Sequence, residues 1–317
     1  MKKAGRSLYD RPAFFRYDSM TPNLGTLDLP MNVCQSDHVG RSRPNHHARP
    51  PGLDAWLLSV DATKEPSVRV IEIDGTRCVI KRRRASVLRG VSYVIRYIRA
   101  SVLAVGCKVF LGEFPSPRVL LRNGLPYEAE RLKVLDAANL RVPLIWAEAP
   151  GMLALEYVGD DMPGVLRRAD PAARRTLARA IARDLAEFHQ AGFSHGGAQV
   201  RNLICQNDTI WRIDFEENIG EALSLPLAQA YDVYQCIASI TALRGIAGEA
   251  AQTLGDEVLW AYLYANDDAA VRLALGRFAR LFGRASTLLH PLFGKLPGRD
   301  IQGFFRTAHT LGLLFKS

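Results

Sequence analysis

This chain contains no run of 18 or more uncharged apolar residues, so no membrane-spanning helix is expected. Its first residues, MKKAGRSLYDRPAFF, carry a basic pair but no apolar core of the kind that directs export, and a cytoplasmic location is expected. Cysteine is sparse: Cys34, Cys78, Cys107, Cys205 and Cys236 include no CxxC pair and are odd in number. That argues against a disulfide framework or a thiolate zinc site and leaves buried free thiols as the expectation. The adjacent His46 and His47 lack helical ligand spacing, so no metal role is read into them. No internal repeat is visible. Acid is nearly missing between Arg77 and Arg122, where eleven Lys and Arg residues face one carboxylate, Glu113. That segment carries +10 in a chain whose net charge is +9, so the excess sits in one place and implies an anionic partner. Phosphates, an acidic membrane surface and nucleic acid all qualify. Nucleic acid is the weakest of the three, because no recognised binding module and no aromatic-interleaved platform accompanies the charge.

What is present falls into three parts. Residues 1–52 are rich in Pro, Gly, Asn, Arg and His without any sustained period, and they read as a disordered extension. Strand patterns follow: AWLLSV around Trp56, then SVRVIEID, a turn at Asp74-Gly75-Thr76, and RCVIK ending on Lys81. Between about 86 and 105, Val87, Val91, Val94, Ile98, Val102 and Val105 share one helical face while Arg89, Arg96 and Arg99 lie on another. Such a basic amphipathic helix fits packing against the strands and fits a membrane surface equally well. A helix over about Leu125–Ala138 and an apolar strand MLALEYVGD come next. Past Gly159 the chain is mainly helical, with RRTLARAIARDLAEFHQAG stopped at Gly192, short strands at NLICQ and TIWRIDF, and helices near 226–243, 256–265 and 268–288. The expected fold is α+β and two-lobed: a small strand-rich lobe over about 53–158 and a larger helical lobe over about 159–317, with a cleft between them.

The chemistry concentrates in HGGAQVRNLI, His195 to Ile204, and WRIDFEEN, Trp211 to Asn218. Phosphoryl transfer needs positioning and charge neutralisation more than covalent help. It calls for a lysine on a strand, a helix glutamate to hold that lysine, and an Asn and an Asp to hold magnesium. An Asp to accept the hydroxyl proton usually completes the set. Lys81, Glu128 (with Glu130 as its competitor), Asn202 and Asp214 occur in that order. Glu128 is favoured over Glu130 because Leu132 and Leu135 follow it at helical spacing. Asn202 and Asp214 are hard oxygen ligands suited to Mg²⁺. His195 and Asp232 are expected to brace the loop rather than to move protons.

These segments resemble the protein-kinase-like superfamily, and most closely the compact bacterial group that includes lipopolysaccharide-core sugar (Kdo) kinases. The resemblance spans about residues 56–245 and lies in CVIK, YEAERLKVLDAANLRVPLI, LALEYV, LAEFHQAGFSHGG, RNLI and IDFE. It implies ATP and Mg²⁺, a hydroxyl acceptor, and Glu156, Tyr157 and Val158 as the hinge facing adenine. Four departures stand out. Gly197 occupies the place of the catalytic-loop Asp, and Gln199 that of a phosphate-contacting lysine. Glu216 replaces the glycine of D-F-G, and no G-x-G-x-x-G precedes Ile73.

Two functions follow from this pattern. One is an ATP·Mg²⁺ phosphotransferase at the cytoplasmic membrane face, acting on a lipopolysaccharide-type glycolipid or another hydroxyl acceptor. The other is a pseudokinase that binds nucleotide and controls a protein partner. In the first, Glu216 or Glu217 stands in for the missing base, or the proton passes late to the phosphate itself. Restoring Asp at 197 is then expected to raise turnover.

Overall fold

The structure, a computed structural model, describes residues 46–60, 67–83, 89–121 and 124–315, with the side chains of 89–96 left out. Most of the expected N-terminal extension therefore lies outside the described residues. Its last part, 46–52, is packed against the folded body and leads into helix α1 (Leu53–Ser59).

Helix α1 replaces the strand expected at AWLLSV. Leu53, Trp56 and Leu57 are spaced i, i+3, i+4, so they form one helical face, and they pack on Cys78, Ile80, Trp146 and Ala154. A short apolar run does not by itself distinguish the two states, and tertiary burial of Leu53 decides here.

Strands β1 (Val68–Ile73) and β2 (Thr76–Arg82) form the expected hairpin, pairing Val68 with Lys81 and Ile73 with Thr76. Asp74 and Gly75 turn the chain with φ of 51° and 74°, the positive values a two-residue hairpin loop requires. Next come α2 (Arg89–Leu111), α3 (Pro117–Leu120), α4 (Leu125–Ala137), β3 (Ile145–Ala149) and β4 (Met152–Glu156). The four strands form one antiparallel sheet in the order β1-β2-β4-β3. Alternation gives β2 two functions. Cys78 and Ile80 meet α1 on the outer face, while Val79 packs on the inner face with Leu132 and Leu135 of α4, pointing Lys81 the same way.

The second lobe opens with β5 (Asp160–Asp161), α5 (Met162–Arg168) and α6 (Pro171–Gln190). A 3-10 turn at Val200–Asn202 leads into β6 (Leu203–Gln206) and β7 (Thr209–Arg212), which with β5 make a small three-stranded sheet. Helices α7 (Ile219–Ala222), α8 (Leu225–Thr241), α9 (Gly248–Ala265), α10 (Ala269–Phe293) and α11 (Arg299–Gly312) complete it. Phe188 of α6 and Phe215 enter the cluster under α4, so the two lobes share apolar contacts beside the cleft. The architecture is α+β, a small antiparallel-sheet lobe joined to a larger helical lobe, consistent with a two-lobed kinase-like fold.

Helix α2 is longer than the pattern suggested, and its apolar stripe faces outward. Ile98, Val102, Val105 and Val109 are more than half exposed, and the residues buried instead are Ala100, Ala104, Cys107 and Leu111. Leu111 and Cys107 join the helical lobe's core, and Arg277 of α10 donates to the Leu111 carbonyl at 2.9 Å.

Candidate functional site

The inward face of β2, the first turn of α4 and the end of β7 meet at one point. Lys81 Nζ lies 2.7 Å from Glu128 Oε1, 2.8 Å from Asp214 Oδ1 and 3.9 Å from Glu216 Oε1. Glu128 is fully buried and Lys81 nearly so. Burial alone would lower the lysine's pKa, but the carboxylates of Glu128 and Asp214 outweigh it and hold the ammonium charged. Burial also dominates at Glu128 and, against the pull of Lys81, pushes its pKa up to about 6. Asp214 is half-buried; its desolvation would raise its pKa, yet Lys81 beside it carries the value below the usual range. Asp214 adopts φ of 69°, a left-handed conformation that a non-glycine residue holds only at a cost of order 1 kcal/mol or more. Glu128, Asp214 and Glu216 each bring an oxygen within 4.8 Å of the others, and the Lys81 ammonium lies among these carboxylates.

The loop His195–Asn202 is held on both sides. Asp232 of α8 has no solvent exposure and accepts the amides of His195 at 2.5 Å and Gly196 at 2.8 Å. The His195 ring stacks on Phe215 at 4.2 Å and donates Nε2–H to the Ile213 carbonyl at 3.1 Å, leaving Nδ1 to accept from Gly197 N–H at 3.3 Å. Burial pushes the His195 pKa down to about 4, so the ring stays neutral and braces the loop. Asn202 is buried, donates to the Gly197 carbonyl at 2.9 Å and through its own carbonyl receives Ile213 N–H at 3.0 Å. Asn202 and Asp214 are thus tied to neighbouring points of one loop–strand pair. Gln199 turns away, donating to Gln235 of α8 at 3.0 Å.

Of the three expected hinge residues, Glu156 uses its side chain elsewhere. Its buried carboxylate lies 2.6 Å from His46 Nδ1, accepts His47 N–H at 2.6 Å and accepts Leu144 N–H at 3.2 Å. The Glu156 backbone is committed as well, its N–H donating to the Leu144 carbonyl at 2.9 Å. The Tyr157 ring lies under the Arg77 guanidinium at 4.1 Å. A polar cavity of about 490 Å³ on this side is lined by His47, Glu72, Arg77, Tyr157, Asp160 and Gln206, and includes none of Lys81, Asn202 or Asp214. The role of His46 was not legible in the sequence, where it is separated from Glu156 by 110 residues.

Glu217, named from the sequence with Glu216 as a stand-in for the missing base, lies beside the His195–Asn202 loop. Its carboxylate lies against Gly197: a Cβ added there would sit 3.3 Å from Glu217 Cδ and Oε2. The local sign was present in the sequence as the pairing of HGG with a second acid after IDF.

No protein-family model matches the chain, and no curated protein matches it. Among solved structures it is similar to a MAP kinase from Leishmania major, at 13% identity and a TM-score of 0.30, over 83% of this chain and 80% of that one. That likeness carries no argument about site or substrate.

Proposed function

We propose that this chain binds ATP with Mg²⁺ and transfers a phosphoryl group to a hydroxyl acceptor. The observation that carries the reading is the position of Lys81 Nζ, between Glu128 and Asp214 and within 3 Å of an oxygen of each. A salt bridge that served only stability gains little from two buried acids around one ammonium, since desolvation offsets most of the attraction. The arrangement does suit a lysine held out to phosphates by Glu128, with Asp214 and Asn202 as oxygen ligands for a magnesium ion. When bound, that ion neutralises charge on the phosphates. Lys81 orients the same phosphates, and Asp232 and His195 keep the loop that bears Asn202 in register with the segment after β7 that bears Asp214.

The acceptor we favour is a lipopolysaccharide-type glycolipid presented at an anionic membrane face. Support comes from the exposed stripe of α2, flanked by exposed Arg99 and Lys108 on a helix that contains no acid. Among the described residues no helix is long and apolar enough to cross a membrane, so the contact would be peripheral.

A second reading has its own support. Gly197 removes the usual base, and α1 stands where the first strand was expected, with no glycine-rich hairpin among the described residues to cover the phosphates. In that reading the chain is a pseudokinase that controls a protein partner.

Calorimetry with ATP·Mg²⁺ on the parent, Lys81→Ala and Asp214→Ala tests the binding step. Binding in the parent and a loss of tenfold or more in both variants is expected. A parent that binds no nucleotide would leave neither reading standing.

A further inference from the structure

We propose that Glu217 is the proton acceptor of this site, its carboxylate occupying the space that a side chain at position 197 would fill. The inference rests on the phosphotransferase reading and gives that reading the group it lacks.

The geometry comes from two adjacent glycines. At Gly197 the three nearest atoms to an added Cβ all belong to the Glu217 carboxylate, at 3.3, 3.3 and 3.7 Å. At Gly196, whose φ is +86°, an added Cβ would lie 2.7 Å from the Glu217 carbonyl oxygen. One glycine therefore admits the Glu217 backbone and the next admits its side chain. A carboxylate at 197 and one at 217 compete for the same volume, so the HGG sequence and Glu217 are two halves of one arrangement.

Position 197 is itself well defined. Asp232 holds the preceding amides, His195 Nδ1 accepts the Gly197 amide, and Asn202 Nδ2 holds the Gly197 carbonyl at 2.9 Å. A carboxylate against Gly197 thus lies against a residue whose carbonyl Asn202 holds. Glu216 is differently placed, with an oxygen 3.9 Å from Lys81, on the phosphate-orienting side.

In the step, the acceptor oxygen forms a bond to the γ-phosphorus as the bond from that phosphorus to the β–γ bridging oxygen breaks. The hydroxyl proton passes to a Glu217 oxygen, ADP leaves with the bridging oxygen, and the proton then returns to solvent.

The test uses the full chain with ATP·Mg²⁺, reading phosphate release to water and self-phosphorylation, with nucleotide affinity by calorimetry alongside. Glu217→Gln is expected to lower the rate roughly 100-fold or more, in line with the ~10²–10⁴-fold of a general base, with affinity changed less than threefold. Gly197→Asp alone is expected to lower the rate, because the new side chain meets Glu217, whereas the sequence reading expects a rise. Gly197→Asp combined with Glu217→Gly should recover at least tenfold over Glu217→Gly. A Glu217→Gln protein that keeps the parental rate overturns the assignment while leaving the phosphotransferase reading intact. A parent that binds ATP·Mg²⁺ but transfers phosphate to neither acceptor overturns both.

Discussion

Lys81 and Glu128, 47 residues apart, meet through a buried hydrogen bond of 2.7 Å, and Glu128 has no surface in contact with water. The pair fixes β2 to the first turn of α4 and sets the direction in which the ammonium points. A buried carboxylate depends on such a partner, and the dependence is measurable as a pH effect.

Glu128 has a folded-state pKa raised from 4.5 to about 6, so its ionisation works against folding as pH rises. Its contribution is complete below about 4.5 and is lost as pH passes through the folded value. Removing Lys81 takes away the main attraction holding that value down. Lys81→Met should therefore cost roughly 3–5 kcal/mol at pH 8, the usual loss on breaking a buried pair, and clearly less at pH 5, where Glu128 protonates. Urea unfolding at the two pH values measures this. Equal losses at both would mean that Glu128 stays ionised or reaches water.

Asp232 makes a second prediction. Its carboxylate is the acceptor for the amides of both His195 and Gly196 and lies 3.3 Å from His189 Nε2. Asp232→Ala strands two amide groups inside the protein, each costing about 1–3 kcal/mol. A fall in thermal midpoint is expected, together with weaker ATP·Mg²⁺ binding, since the loop bearing Asn202 loses its support. Asp232→Asn, which keeps an acceptor oxygen, should recover part of the stability.

Much of this arrangement was legible in the chain because it is local. CVIK ends a strand, and Leu132 and Leu135 place Glu128 on the buried side of its helix, where Lys81 meets it. Short-range periodicity also found α4, α6, α8, the second half of α9 and most of α10. It did not find α11, whose Gly303 packs on Ala242 at the end of α8, nor α5, which is a short capped turn. The helix at α1 was misread because its apolar run is too short for its period to show. The burial of Glu156 by His46 was invisible because nothing local marks a contact across 110 residues. For α2 the periodicity identified a real stripe but not which side of the helix the protein covers. Small residues on the opposite side, Ala100 and Ala104, allow close packing there, and a hydropathy pattern gives that little weight.

A third prediction concerns how the helical lobe responds to acid. Glu257 of α9 accepts from Arg179 Nε at 2.6 Å and from Arg175 Nη2 at 2.6 Å, both on α6. The hydrogen bonds from Arg179, then those from Arg175, outweigh burial and pull its pKa from 4.5 down to about 2. A depressed carboxylate stabilises the fold above its unfolded value, and that contribution is lost as pH falls through the folded one. Between pH 4.5 and 2 the parent should therefore lose stability more steeply than Glu257→Gln. Denaturant titrations across that window should show the slopes diverging there and converging above it. Parallel slopes would mean that the two arginines add no differential stabilisation.

The last prediction tests the surface on which the glycolipid reading depends. Ile98, Val102, Val105 and Val109 of α2 are 57%, 68%, 54% and 69% exposed, with exposed Arg99 and Lys108 to either side. Helix α10, tied to α2 through Arg277 and Leu111, adds exposed Leu288 and Leu292 and likewise contains no acid. An apolar ridge between cations is drawn to anionic lipid by two forces that experiment can separate. Each cation near such a surface contributes about 1 kcal/mol, so Arg99→Gln with Lys108→Gln should weaken binding to phosphatidylglycerol-containing vesicles roughly 30-fold. Val102→Asp with Val105→Asp should abolish it, because the ridge can no longer leave water. Raising salt should weaken the parent and scarcely affect the glutamine variant. If the parent sediments equally with neutral and anionic vesicles, or with neither, the charge of this surface serves another anionic partner and the glycolipid acceptor loses its support.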